Sequence, residues 1–65
     1  MTLEKARQLL QVQVDFGGGY NRNSARLILA EVAREHGQIE ANKLIDEMHL
    51  EKIFGFAPVP IQHHI

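Results

Sequence analysis

The chain has 65 residues, 45% of them hydrophobic, and its seven basic and eight acidic side chains give a net charge of −1 with neutral histidines. This length predicts one small domain, and the apolar content is too high for an intrinsically disordered chain. The absence of cysteine excludes disulfides and thiolate zinc sites. The charge balance lacks the positive excess with which compact nucleic-acid binders neutralise phosphates.

The first predicted element is a helix over residues 3–15, for which Thr2 is a suitable N-cap. Its apolar face recurs at helical spacing and consists of Leu3, Ala6, Leu10 and Val14. The stretch LQVQVDF, residues 10–16, also alternates as a strand would. A strand remains the open alternative there, but the best partner for it, FAPVPI, contains two prolines that weaken a ladder. We therefore predict a helix.

Three glycines at residues 17–19 end this helix. The surrounding stretch DFGGGYNRNSAR matches no phosphate-binding motif, because a P-loop needs a lysine after its last glycine and a dinucleotide site needs glycine where Arg22 stands. We interpret the stretch as a turn followed by an N-cap from Asn21, Asn23 or Ser24. An anion held by Arg22 and Arg26 at the start of the next helix is a weaker hypothesis.

A second helix is predicted over residues 24–36, with Gly37 as its C-cap. Its apolar face is the clearest in the chain and consists of Ala25, Ile28, Leu29, Val32, Ala33 and His36.

A third helix follows over residues 39–48, with a stripe formed by Ala41, Leu44, Ile45 and Met48. The stripe then changes phase, which predicts a bend near His49 and a short helical turn over 50–54 that ends at Gly55. Residues 56–65 should form an extended tail, with partial disorder as the open alternative, because each proline disfavours helical angles in the preceding residue. The expected fold is an all-α bundle of three antiparallel-leaning helices in one domain, residues 1–65.

Helices 25–36 and 39–48 superficially resemble a helix-turn-helix pair, with Ala33 and Gly37 four residues apart. The resemblance fails at Lys43 and Asp46, which are charged where that motif has buried residues. The acidic third helix would also repel phosphate. A small DNA-binding regulator is therefore the alternative function, and it requires four basic side chains to converge on one surface: Arg22, Arg26, Arg34 and Lys43.

Catalytic and metal-binding residues are sparse. His36 with Glu40, and Asp46 with His49, could each put two ligands on one helix face, but no third ligand is evident. Thr2 and Ser24 are better explained as helix caps than as nucleophiles, and three short helices offer little concave volume. We expect a non-enzyme without a metal, a cofactor or a small-molecule substrate.

Several apolar residues exceed the needs of one small core: Leu27, Ala30, Leu50, Phe54, Phe56, Val59 and Ile61. Either the tail folds back over the monomer, or the surplus forms an interface. We expect the interface, formed by Leu50, Phe54, Phe56, Val59 and Ile61. On this interpretation Phe54→Asp disrupts association or folding, and Arg22→Ala is nearly silent.

The expected function is therefore a non-catalytic protein–protein interaction or accessory module that binds a protein partner or itself, as a homodimer. The N-terminal residues lack the apolar run of a secretory signal, and no stretch has the length of a membrane span. We expect a small cytoplasmic protein of bacterial type that contacts no membrane.

Overall fold

The computed structural model describes residues 1–16 and 22–60. Four helices follow one another there: α1 (Leu3–Phe16), α2 (Arg22–His36), α3 (Gln38–Glu47) and α4 (Leu50–Phe54). No strand occurs in the described ranges, and residues 10–16 are helical. The predicted small all-α bundle is confirmed, with boundaries that shift by one or two residues. None of these four helices has the length and apolar character that crossing a membrane requires.

The caps of α1 and α2 differ in how well the sequence predicted them. Thr2 caps α1, because its Oγ1 accepts a hydrogen bond of 3.0 Å from the backbone N–H of Lys5. The helix α2 begins at Arg22, so Asn23 and Ser24 lie inside its first turn. The prediction that one of these two residues is the N-cap is therefore wrong. Asn21 and the three glycines lie outside the described residues.

A single residue, Gly37, joins α2 to α3. Its N–H donates to the carbonyl of Ala33 at 3.0 Å, and its own carbonyl accepts from the N–H of Ala41 at 3.3 Å. The φ of 97° at this position lies in the left-handed region, which glycine adopts without steric penalty. The predicted C-cap is confirmed, and the same residue also begins α3.

The predicted bend between α3 and α4 is centred on His49, whose φ of 56° and ψ of 38° are left-handed. Gly55, with a φ of 82°, ends α4 and donates its N–H to the carbonyl of Glu51 at 2.8 Å. The bend turns α4 back onto α3, which is the helix that it contacts most extensively. The phase change in the apolar stripe of the sequence therefore corresponds to a real change of direction.

The buried core draws side chains from all four helices. It consists of Ala6, Leu10, Ala25, Leu29, Val32, Ala41, Leu44, Ile45, Leu50 and Phe54. The helix α2 is central, since it packs against both α1 and α3. Among the described residues no polar or charged side chain is buried, so apolar burial supplies the packing energy of this core. The amino group of Met1 lies 2.6 Å from a carboxylate oxygen of Glu35, which places the start of α1 beside the end of α2.

Candidate interaction groove

The predicted interface residues do not share one exposed face. Leu50 and Phe54 are 0% and 6% exposed and belong to the core, so they are not available to a partner, and this part of the predicted interface is wrong. The left-handed turn at His49 sets the direction of α4, whose Leu50 and Phe54 side chains join the buried core. Phe56 is half-buried, Val59 is 50% exposed, and Ile61 lies outside the described residues.

The tail, of which the structure describes residues 56–60, returns to the bundle. Its Val59 main chain pairs with the side chain of Asn42 on α3. The amide nitrogen Nδ2 of Asn42 donates to the carbonyl of Val59 at 2.8 Å. The N–H of Val59 donates back to Oδ1 of Asn42 at 3.0 Å. Both main-chain groups of one residue point to the same side when that residue is extended, and the prolines after Ala57 and Val59 favour that conformation.

A second side chain fixes the orientation of the Asn42 amide. Nε2 of Gln38, one turn earlier on α3, donates to Oδ1 of Asn42 at 2.9 Å. Because Oδ1 accepts from both Gln38 and Val59, Nδ2 is the atom left to donate to the Val59 carbonyl. The amide therefore presents one hydrogen-bond donor and one acceptor to the main chain of an extended segment.

Arg22, a weak candidate for anion binding, contacts the junction of α4 and the tail. Its Nε donates to the carbonyl of Phe54 at 2.9 Å. Its guanidinium carbon lies 5.1 Å from the ring centroid of Phe56, within the range of a cation–π interaction. The rings of Phe54 and Phe56 are 5.7 Å apart. Arg22 therefore links the start of α2 to the residues that direct the tail.

These contacts replace the prediction that Arg22→Ala is nearly silent. We now expect this substitution to lower the free energy of unfolding by about 1–2 kcal/mol, through loss of a charge-assisted hydrogen bond and a partly exposed cation–π contact. Arg26→Ala is the matched control, because the Arg26 guanidinium bonds only to Asn23 of the same helix among the described contacts. Urea unfolding of both variants measures the difference, and equal midpoints would contradict the structural role of Arg22.

A groove of about 300 Å³ lies between α2, α3 and the tail, and we call it the α2–α3 groove. Most of its lining is apolar: Arg26, Leu29, Ala30, Ala33, Gln38, Ala41, Ile45, Gly55, Phe56, Ala57 and Val59. Three alanines contribute to the two helical walls, and their small side chains leave the space open. Arg26 is the one charged residue of the lining. Asn42 lies beside this lining and is bonded to two of its residues, Gln38 and Val59. The groove and the Asn42 amide together therefore suit an apolar segment whose main chain needs hydrogen bonds.

The four basic residues proposed for DNA binding already have protein partners in the described chain. Arg34 pairs with Glu31 on α2, and Nζ of Lys43 lies 3.4 Å from Oε1 of Glu40 on α3. Arg22 and Arg26 bond to Phe54 and Asn23, as described above. Nearby carboxylates neutralise part of the positive charge that phosphates would need.

Two further ion pairs connect separate helices. Nε of Arg7 on α1 lies 2.7 Å from Oε2 of Glu47 on α3, and this hydrogen-bonded carboxylate raises the pKa of Arg7. The hydrogen bond from the Met1 amino group lowers the pKa of Glu35. Both pairs are solvent-exposed, and exposed pairs of this kind contribute little stability.

Neither predicted histidine pair gains a third metal ligand among the described residues. No group of three histidine, aspartate or glutamate side chains there could hold a metal ion. Nε2 of His36 lies 2.7 Å from the carbonyl of Met1, so this ring connects the end of α2 to the N-terminus.

Sequence reasoning missed Asn42 and Gln38. Both occupy helix positions at which a polar residue is ordinary, and Val59, the partner of Asn42, lies 17 residues beyond it. The two prolines beside Val59 were the available signal, because they predict an extended segment.

Comparison of the chain with protein-family models, with curated proteins and with solved structures gave no match.

Proposed function

We propose that this chain is a non-catalytic protein–protein interaction module whose binding surface is the α2–α3 groove. The observation that carries the proposal is the paired contact between Asn42 and the main chain of Val59. A side-chain amide that satisfies both main-chain groups of an extended residue provides affinity that is independent of that residue's side chain. The apolar walls of the groove then supply selectivity for the side chains beside it.

A segment in trans pairs with Asn42 by displacing the tail, because Val59 occupies both groups of the Asn42 amide. Val59 is half-exposed, and Ala57 is exposed, so the tail covers the helices incompletely. A ligand of matching chemistry is an extended, apolar segment in which proline follows the residue that pairs with Asn42. Such a ligand loses little conformational entropy on binding, because proline restricts it before it binds.

A synthetic peptide with the sequence of residues 55–60, GFAPVP, is the probe for this proposal. We expect its addition in millimolar excess to shift the amide resonances of Ala30, Ala33 and Asn42 in the NMR spectrum of the labelled full chain. Excess is needed because the tethered tail competes at an effective concentration that is also on the order of millimolar.

Two substitutions on α2 distinguish the groove from other apolar surfaces. Ala30 is exposed and lines the groove, so Ala30→Lys should abolish the shifts without disturbing the core. Leu27 is 61% exposed and outside the lining, so Leu27→Lys should leave them intact. Absence of shifts in the wild-type chain, or their persistence in Ala30→Lys, would refute binding through this groove.

DNA binding through helices 25–36 and 39–48 is the alternative function. The carboxylate partners of Arg34 and Lys43 make it the weaker of the two proposals. Mixed-sequence duplex DNA added at low salt should leave the resonances of Arg22, Arg26, Arg34 and Lys43 unchanged. Shifts at these residues that reverse when salt is added would favour the DNA-binding proposal instead.

A further inference from the structure

We infer that the α2–α3 groove accepts the tail of a second copy of this chain, so that two copies form a dimer by exchanging residues 56–60. This inference rests on the proposed function and names the partner of the same groove. The exchanged segment is identified by the structure itself, because the chain's own tail is seated against Asn42 and forms one wall of the groove. A second copy brings an identical segment, and each chain can supply a tail to the other under two-fold symmetry.

The contacts that hold the tail are few, so the tail can leave its own groove. In the described chain its main chain bonds to Asn42 through Val59, and Phe56 packs on Phe54 beneath the Arg22 guanidinium. The N–H of Phe56 is 3.4 Å from the carbonyl of Leu50, which is a long hydrogen bond. None of the ten buried core residues belongs to the tail, and Phe56 is the residue of the described tail that packs against them, so the core loses the cover of one half-buried side chain when the tail is released.

Gly55 is the hinge between the core and the tail. Its φ of 82° is left-handed, and a Cβ built at this position would meet no atom within 4 Å. The backbone angle at Gly55 therefore decides whether the tail folds back or extends, and in the folded-back state a Cβ would meet no steric clash. Glycine adopts both conformations with similar ease, which keeps the closed monomer unstrained.

Exchange replaces each intramolecular contact of the tail by the same contact between chains. The equilibrium between monomer and dimer therefore depends on the association entropy and on the strain at the hinge. A substitution that disfavours the left-handed angle at the hinge penalises the closed monomer and spares a dimer in which the hinge is extended. Such a substitution should increase dimerisation.

Gly55→Ala tests this directly. Because two hinges are released in each dimer, we expect the association constant, measured by sedimentation equilibrium, to rise about 30-fold. Gly37→Ala is the matched control, since Gly37 also has a left-handed φ, 97°, and open space at its Cβ position. It joins α2 to α3 and does not direct the tail, so this variant should lose stability without a gain in association.

An NMR experiment on mixed isotope labels identifies the exchanged segment and needs no substitution. Equal amounts of two differently labelled wild-type chains, unfolded together and refolded at millimolar concentration, should give an intermolecular NOE between Val59 of one chain and Asn42 of the other. An unchanged association constant in Gly55→Ala would overturn the inference. So would a Val59–Asn42 NOE confined to single chains. Shifts with the GFAPVP peptide in either of these cases would leave the proposed function standing, whereas their absence would refute that function separately.

Discussion

Phe54→Asp is expected to unfold the chain. Phe54 is 6% exposed within the core, and removal of a buried phenylalanine side chain alone lowers the free energy of unfolding by about 3–5 kcal/mol. The introduced carboxylate adds the penalty of a buried charge, for which the core offers no polar partner among the described residues. A domain of this size has a total stability on the order of 5 kcal/mol. Far-UV circular dichroism should therefore show loss of helix at room temperature.

Phe16→Asp provides the matched control for this loss of helix. Phe16 is also a helical phenylalanine, but it is 76% exposed at the end of α1. We expect the control to retain the wild-type helical signal and to change the unfolding midpoint little. Retained helix in Phe54→Asp, or equal destabilisation of both variants, would contradict the placement of Phe54 in the core. Because Phe54 is buried in one chain, this effect reports on folding and says nothing of an interface.

The elements that could be predicted from the sequence depend on interactions within one or two helical turns. The apolar spacing of Ala25, Leu29 and Val32 identifies the buried face of α2, because helical periodicity requires no information about neighbours. The cap at Thr2 and the stop at Gly55 are local in the same sense. Even the bend at His49 was visible as a change of phase in the apolar stripe.

The placement of Leu50 and Phe54 could not be predicted in the same way. A five-residue helix has no periodicity of its own, so its orientation depends on the backbone angles at His49, which the sequence does not specify. Without that turn, the two residues counted as surplus beyond a three-helix core and were assigned to an interface. The structure uses them to complete the core.

The contacts of the tail were equally inaccessible, since they join residues that are distant in sequence. Arg22 lies 32 residues before the carbonyl that it binds. Only the fold brings the start of α2 to the end of α4 and makes Arg22 an anchor of the tail. Composition alone does not decide whether the tail folds back onto the bundle or forms an exposed interface.

Asn42→Ala is expected to release the tail and to weaken binding in the α2–α3 groove. The substitution removes the donor for the Val59 carbonyl and the acceptor for the Val59 N–H. Two hydrogen bonds of about 1 kcal/mol each correspond to a roughly 30-fold weaker intrinsic affinity of Asn42 and the groove for an extended segment, and this loss applies equally to the chain's own tail. The same loss should appear as faster hydrogen exchange at the Val59 amide, measured by NMR, while the core amides of α2 and α3 keep their protection.

The control for Asn42→Ala must be a helical asparagine that has no contact with the tail. Asn23→Ala meets this condition, because Oδ1 of Asn23 accepts from Arg26 within α2. We expect it to leave both peptide affinity and Val59 exchange unchanged. If Asn42→Ala behaved like this control, the hydrogen bonds of Asn42 would contribute nothing to binding. The bound segment would then be held by the apolar walls of the groove alone. The α2–α3 groove would then lack its polar anchor, and an extended segment would have no reason to be preferred over a helical one.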